Sequence, residues 1–166
     1  MKPFVAIIGG SNSGKSTVIC SLTGCGTHGF RDVVTDRQRN QSIYVIASSP
    51  QELNLGLSEL NRILNQVLDD DTILGAIISI QPTHPRSRLS MEDILNAVEL
   101  AGGFNSFAIM LDPPYNDHPT HHNVADVRAR LQAIGIELNV LDGRRFAHLN
   151  ACAVCALTGL PPAGAV

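Results

Sequence analysis

The sequence predicts a three-layer α/β/α sandwich on a mostly parallel five-stranded sheet. Three observations carry that expectation. Residues 4–8, 42–48, 72–80, 107–111 and 136–141 are short apolar runs rich in β-branched residues, the composition of strands buried on both faces. Segments with apolar residues at helical spacing alternate with them. Strands that alternate with helices pair in parallel through right-handed crossovers, and the helices then cover both faces of the sheet. Glycine and proline punctuate the joints, and residues 1–160 read as one domain followed by a disordered tail at 161–166.

The first strand runs into Gly9-Gly10-Ser11-Asn12-Ser13-Gly14-Lys15-Ser16-Thr17, a G-x-x-x-x-G-K-S pattern between a strand and a helix. Gly9 and Gly14 let the backbone turn tightly enough for successive N–H groups to surround a polyphosphate, with the positive end of the following helix behind them. Lys15 is expected to reach the β- and γ-phosphates. The Ser16 hydroxyl is expected to take a coordination position on Mg²⁺, and Thr17 to support the loop. On these residues the chain resembles the P-loop NTPase superfamily. The resemblance implies the fold of that superfamily, a bound nucleoside triphosphate (ATP or GTP) and Mg²⁺ as cofactor.

Helix spacing follows over residues 16–23, with Val18, Ile19 and Leu22 inward and Gly24 and Gly26 closing it. Residues 26–41 are polar, with Arg31, Asp32, Thr35, Asp36, Arg37 and Arg39, and read as a loop that is either functional or a solvated connection. After the strand at 42–48, Ser49-Pro50 ends it, and Leu53, Leu57, Leu60, Leu64 and Val67 recur at amphipathic spacing. Asp69-Asp70-Asp71 reads as a solvated turn, because side chains adjacent in sequence do not converge on a metal. Beyond the strand at 72–80, residues 81–88 form a loop on the phosphate-loop edge that carries Arg86 and Arg88. Ser90 with Asp93 signals a capping box for a helix with Ile94, Leu95 and Val98 inward. The strand at 107–111 ends in Asp112, Asn123 caps a helix bearing Val127 and Leu131, and a last helix spans residues 146–157.

Composition narrows the function. Twelve Lys and Arg stand against fifteen Asp and Glu, for a formal charge of −3; nucleic acid is possible as a partner but not indicated by net charge. Only Lys2 and Lys15 are lysines, so a chain that otherwise uses arginine has lysine at the motif position. Cys20, Cys25, Cys152 and Cys155 sit in apolar surroundings and read as reduced core residues of a cytoplasmic protein. No apolar run reaches membrane-spanning length. His118, His121 and His122 read as part of a solvent-exposed polar loop.

A phosphoryl-transfer site also needs an acid for Mg²⁺, a group that handles the nucleophile and often an arginine. Asp112, at the end of an apolar strand in the manner of a Walker B acid, is the first choice for the metal, with Asp36 and Asp32 as rivals and Thr35 as a switch-type threonine. Arg37, Arg86 and Arg88 are candidates for the transferred group, since a planar guanidinium holds two oxygens at once. The leading expectation is an ATP- and Mg²⁺-dependent kinase-like phosphotransferase acting on a nucleoside, nucleotide or nucleic-acid hydroxyl. Small GTPases resemble the chain in order of elements, but Ser48-Ser49-Pro50-Gln51 and Leu111-Asp112-Pro113-Pro114 stand where their guanine motifs belong. A hydrolysing switch without ordinary guanine readout, and a passive nucleotide-binding subunit, are the alternatives.

Overall fold

The computed structural model of the chain describes residues 1–26, 29–36, 40–83, 89–115 and 122–162. In chain order its elements are β1 (Lys2–Ile8), α1 (Lys15–Thr23), β2 (Arg31–Asp36), β3 (Gln41–Ile46), α2 (Leu57–Asp69), β4 (Ile73–Ile80), α3 (Met91–Ala101), β5 (Phe104–Leu111), α4 (Val124–Ala133), β6 (Leu138–Leu141) and α5 (Ala147–Thr158). They form one sheet of order β2-β3-β4-β1-β5-β6, in which β1 lies between β4 and β5 and five strands run parallel.

Alternation along β1 builds the layers. Phe4, Ala6 and Ile8 face a core completed by Leu60, Ile63 and Leu64 of α2, Ile94 and Leu95 of α3, and Val127 and Leu131 of α4. Val5 and Ile7 face the other way, onto Val18, Ile19 and Leu22 of α1 and Ala151 and Val154 of α5. Each fully buried Ile or Leu contributes about 2 kcal/mol, and both faces of β1 pack against such residues, which is why it occupies the middle. The α/β/α sandwich is therefore as the sequence predicts, with one strand more.

The extra strand is β2. Residues 26–41 read from sequence as a polar loop, yet Arg31–Asp36 pairs antiparallel with β3, from Arg31 opposite Ile46 to Asp36 opposite Gln41. A strand at the rim of a sheet needs only a shallow apolar contact, and Val33 and Val34 supply it. Two smaller differences concern α2 and the cysteines. The helix starts at Leu57 after Gly56, so Leu53 packs from the preceding turn, while Leu57 is 47% exposed over a groove between α2 and α3. Cys152 is exposed rather than part of the core. Ser90 and Asp93 form the expected capping box and Asn123 the expected cap. Asp69, Asp70 and Asp71 are all exposed, as a solvated turn should be.

The helix after β1 goes to one face and the helices after β4 and β5 go to the other. A crevice opens at the carboxyl ends of strands where such neighbours diverge. Residues 9–14 occupy that point.

Candidate functional site

The loop from β1 to α1 is held at both ends. Gly9 N donates to Ile80 O at 3.1 Å, Ser13 N to Gly10 O at 3.4 Å, and Tyr115 N, from the segment after β5, to Ser13 O at 3.3 Å. Asn12 and Gly14 have φ of +60° and +93°, and Gly14 fills the turn into α1 that a side chain would strain. A Cβ at Gly9 would lie 2.4 Å from Ser13 Oγ, so that position needs glycine for a close approach. Among the described residues, no side chain caps the start of α1, whose N-cap is Gly14, and no acidic residue stands in its first turn. Its first amides are the usual orphan donors of a helix N-terminus.

Two buried polar groups sit against this end. Ser13 is 1% exposed and, among the described residues, its hydroxyl has no hydrogen-bond partner. Lys15 is 5% exposed, and its Nζ donates to Gly10 O at 2.6 Å. Burial lowers the Lys15 amine to about 8, with the Glu52 carboxylate pulling in the opposite direction. Ser16 Oγ donates to Ala47 O, just beyond β3, at 2.7 Å, which leaves its oxygen lone pairs open.

Sequence reading missed the acid of the site, Glu52. The turn after β3 curls back through bonds from Leu53 N to Ser49 O at 3.0 Å and from Leu55 N to Pro50 O at 2.9 Å. Glu52 is thereby brought over the loop. Its carboxylate accepts from Gln81 Nε2 at 2.6 Å and from Ser49 N at 3.0 Å, while Glu52 N donates to Ser49 Oγ at 3.2 Å. Gln81, 4% exposed, also reaches Ser11 Oγ at 3.4 Å, and Gln51 Nε2 donates to Gln81 O at 2.9 Å. A cleft of about 520 Å³ results, floored by Gly14 to Thr17 and walled by Ser48 and Glu52 on one side and Tyr115 on the other. The signal available in sequence was an acid six residues beyond a strand, β3, that ends on the correct edge.

The other sequence candidates fall elsewhere. Asp36 pairs with Gln41 at the start of β3, so it stands at the opposite edge of the sheet, roughly 20 Å away by the length of a six-residue strand. Thr35 meets Ser42 Oγ at 3.0 Å near that same edge. Asp32 is exposed on β2, its carboxylate accepting from Val33 N. Asp112 does follow directly on β5, but its amide bonds to Leu141 O at 2.9 Å and it does not line the cleft. Arg37, Arg39, Arg86, Arg88, His118 and His121 lie outside the described residues.

The root of the segment carrying Arg86 and Arg88 is fixed. Arg130 Nη2 donates to Pro82 O at 2.9 Å and to Glu92 Oε2 at 2.8 Å, and that guanidinium holds the Glu92 carboxyl below its usual range. His122 Nε2 lies 3.3 Å from Thr83 Oγ1. Among the described residues, no group of three or more His, Cys, Asp or Glu is placed to hold a metal ion.

Donors therefore dominate the floor of the cleft: orphan amides, a buried ammonium and hydroxyls. A multiply charged anion fits them. For a hard cation beside that anion, Ser16 Oγ and Glu52 offer the oxygen donors that Mg²⁺ prefers.

No protein family model and no curated protein matches the chain. The solved structures similar to it include these two. One is a solution NMR structure of a de novo designed protein described as a PLOOP2X3_50 fold, 11% identical over 95% of this chain and 94% of that one, with a TM-score of 0.47. The other is described as the crystal structure of APE1195, 14% identical over 94% of each chain, with a TM-score of 0.49.

Proposed function

We propose that the chain binds a nucleoside triphosphate at residues 9–17 and transfers its terminal phosphoryl group to a hydroxyl acceptor, with ATP and Mg²⁺ as the preferred donor and cofactor. The observation that carries this is the buried Lys15 ammonium beside an unpartnered Ser13 hydroxyl and the uncapped start of α1. Such groups are costly to bury without a partner, and a polyphosphate tail satisfies all three. Lys15 holds the β- and γ-oxygens and swings from Gly10 O to do so. The loop amides and the end of α1 take the remaining charge. Ser16 and Glu52 are the residues for Mg²⁺, which when bound neutralises phosphate charge.

Glu52 also has the position of a general base. Gln81 and Ser49 fix its carboxylate over the cleft, and it takes the proton of an attacking hydroxyl as the phosphorus–oxygen bond forms. Tyr115 narrows the cleft from the far side. The switch reading loses support because Thr35 is tied to Ser42 away from the loop.

The test is label transfer from γ-labelled ATP. A phosphotransferase shows little release of phosphate alone and labels a hydroxyl acceptor from a panel of nucleosides, nucleotides and oligonucleotides. Steady hydrolysis with no labelled acceptor supports the switch instead. Equal affinity for ADP and a non-hydrolysable triphosphate, with no labelled product, supports a passive binder and overturns the proposal.

A further inference from the structure

Helix α1 ends in a tightly specified turn. Gly24, with φ of +73°, donates its N–H to Cys20 O at 2.8 Å. Thr23 Oγ1 donates to Ile19 O at 2.8 Å and accepts from Cys25 N at 3.4 Å. In a helix stop of this kind, the residue after the left-handed glycine folds back over the last turn, where an apolar contact commonly forms. Here both members of that contact are cysteines. Their Sγ atoms lie 2.7 Å apart, well inside the separation of two unbonded sulfurs. Cys25 is 6% exposed and Cys20 half-buried. Both line an opening of about 430 Å³ bordered by Ser21, Gly26, Phe146 and His148, so a small molecule reaches them.

We propose that Cys20 and Cys25 are a reversible oxidation site that closes into an intrachain disulfide. The co-reactant is a small-molecule disulfide of the glutathione class. One protein thiolate attacks it, forming a mixed disulfide and expelling one thiolate. The second protein thiolate then attacks the protein-bound sulfur and expels the other. Two electrons pass from the protein to the reagent, and the two protein protons end on the two small thiols. Burial and the neighbouring sulfur push the Cys20 thiol up to about 12. The backbone bonds around Gly24 hold the two residues together beforehand, so closing the bridge asks for little chain movement. The bridge fastens the last turn of the helix that begins at Lys15 to the segment leading into β2.

The experiment treats the full-length folded chain with oxidised glutathione, alkylates the remaining thiols and maps the peptides by mass. The expected result is a peptide linking Cys20 to Cys25, lighter by two hydrogens and restored by dithiothreitol, with two of the four thiols still alkylated. A Cys152→Ser/Cys155→Ser variant keeps the link. Cys20→Ser loses it and carries a glutathione adduct on Cys25 instead. Full alkylation of Cys20 and Cys25 after the treatment overturns the proposal, as does a link that involves only Cys152 or Cys155. Should Cys20→Ser fail to fold, the map of the unmodified sequence decides alone.

Discussion

The two lysines of this chain stand at opposite edges of one sheet, and their surroundings differ in kind. Lys2 Nζ donates to Val67 O at 2.6 Å and to Asp70 O at 2.7 Å, so a cation closes the carboxyl end of α2 and complements its dipole. Solvent completes its hydration. Lys15 is buried at the amino end of α1, where the dipole is positive, and among the described residues it makes one hydrogen bond. An ammonium has three protons, so two point to no fixed acceptor. Lys2 completes a structure, whereas Lys15 keeps two protons for the anion proposed above.

Replacement of Lys15 by Ala breaks that contrast most severely. Triphosphate affinity measured by calorimetry is expected to fall about 100-fold or more, as charge-assisted bonds are lost. Lys2→Ala leaves it unchanged. Equal losses in the two variants would remove the distinction.

Titration sharpens it. Because the folded-state value for Lys15 is about 8 and the unfolded value 10.5, the unfolded chain binds the proton more tightly. The burial penalty is therefore present below pH 8 and relieved as pH rises to 10.5, and stability increases through that window by about 3 kcal/mol. Urea unfolding across it should show this rise, and Lys15→Met should lack it.

Glu52→Gln comes next. Turnover is expected to drop about 100-fold, the low end for a general base, with triphosphate still bound. The Lys15 amine should titrate lower still, since the carboxylate that raises it is gone. Unaltered turnover in the labelled-acceptor assay would take Glu52 out of the reaction.

Gly9→Ala pushes on Ser13, and the unfolding midpoint should report a loss of about 2 kcal/mol. Adding Ser13→Ala removes the hydroxyl that clashes and should return part of it. Smallest is Lys2→Met, about 1 kcal/mol, read from the same melts.

The parallel strands, the loop at residues 9–16 and the caps at Ser90 and Asn123 were legible because each rests on a local pattern: apolar runs, fixed spacing, a polar residue before a helix. β2 was not. Its exposure gives it polar residues at most positions, and only pairing with β3 distinguishes it from a loop. Asp36 was misplaced for the same reason, since a strand running back along β3 takes it to the far edge. Glu52 escaped because the turn beyond β3, not the strand end itself, brings it to Lys15. Asp112 had the expected form of strand, yet its backbone is drawn to β6.

That returning strand has a further consequence. The sheet has two rims, β2 and β6, and a rim is where stray chains add on and nucleate aggregates. One rim presents Arg31, Asp32 and Asp36, so an incoming strand must strip water from charges before it can bond. The other is only four residues long, too brief to template much. A sheet whose middle strands are mostly apolar is thus kept from growing past its own ends.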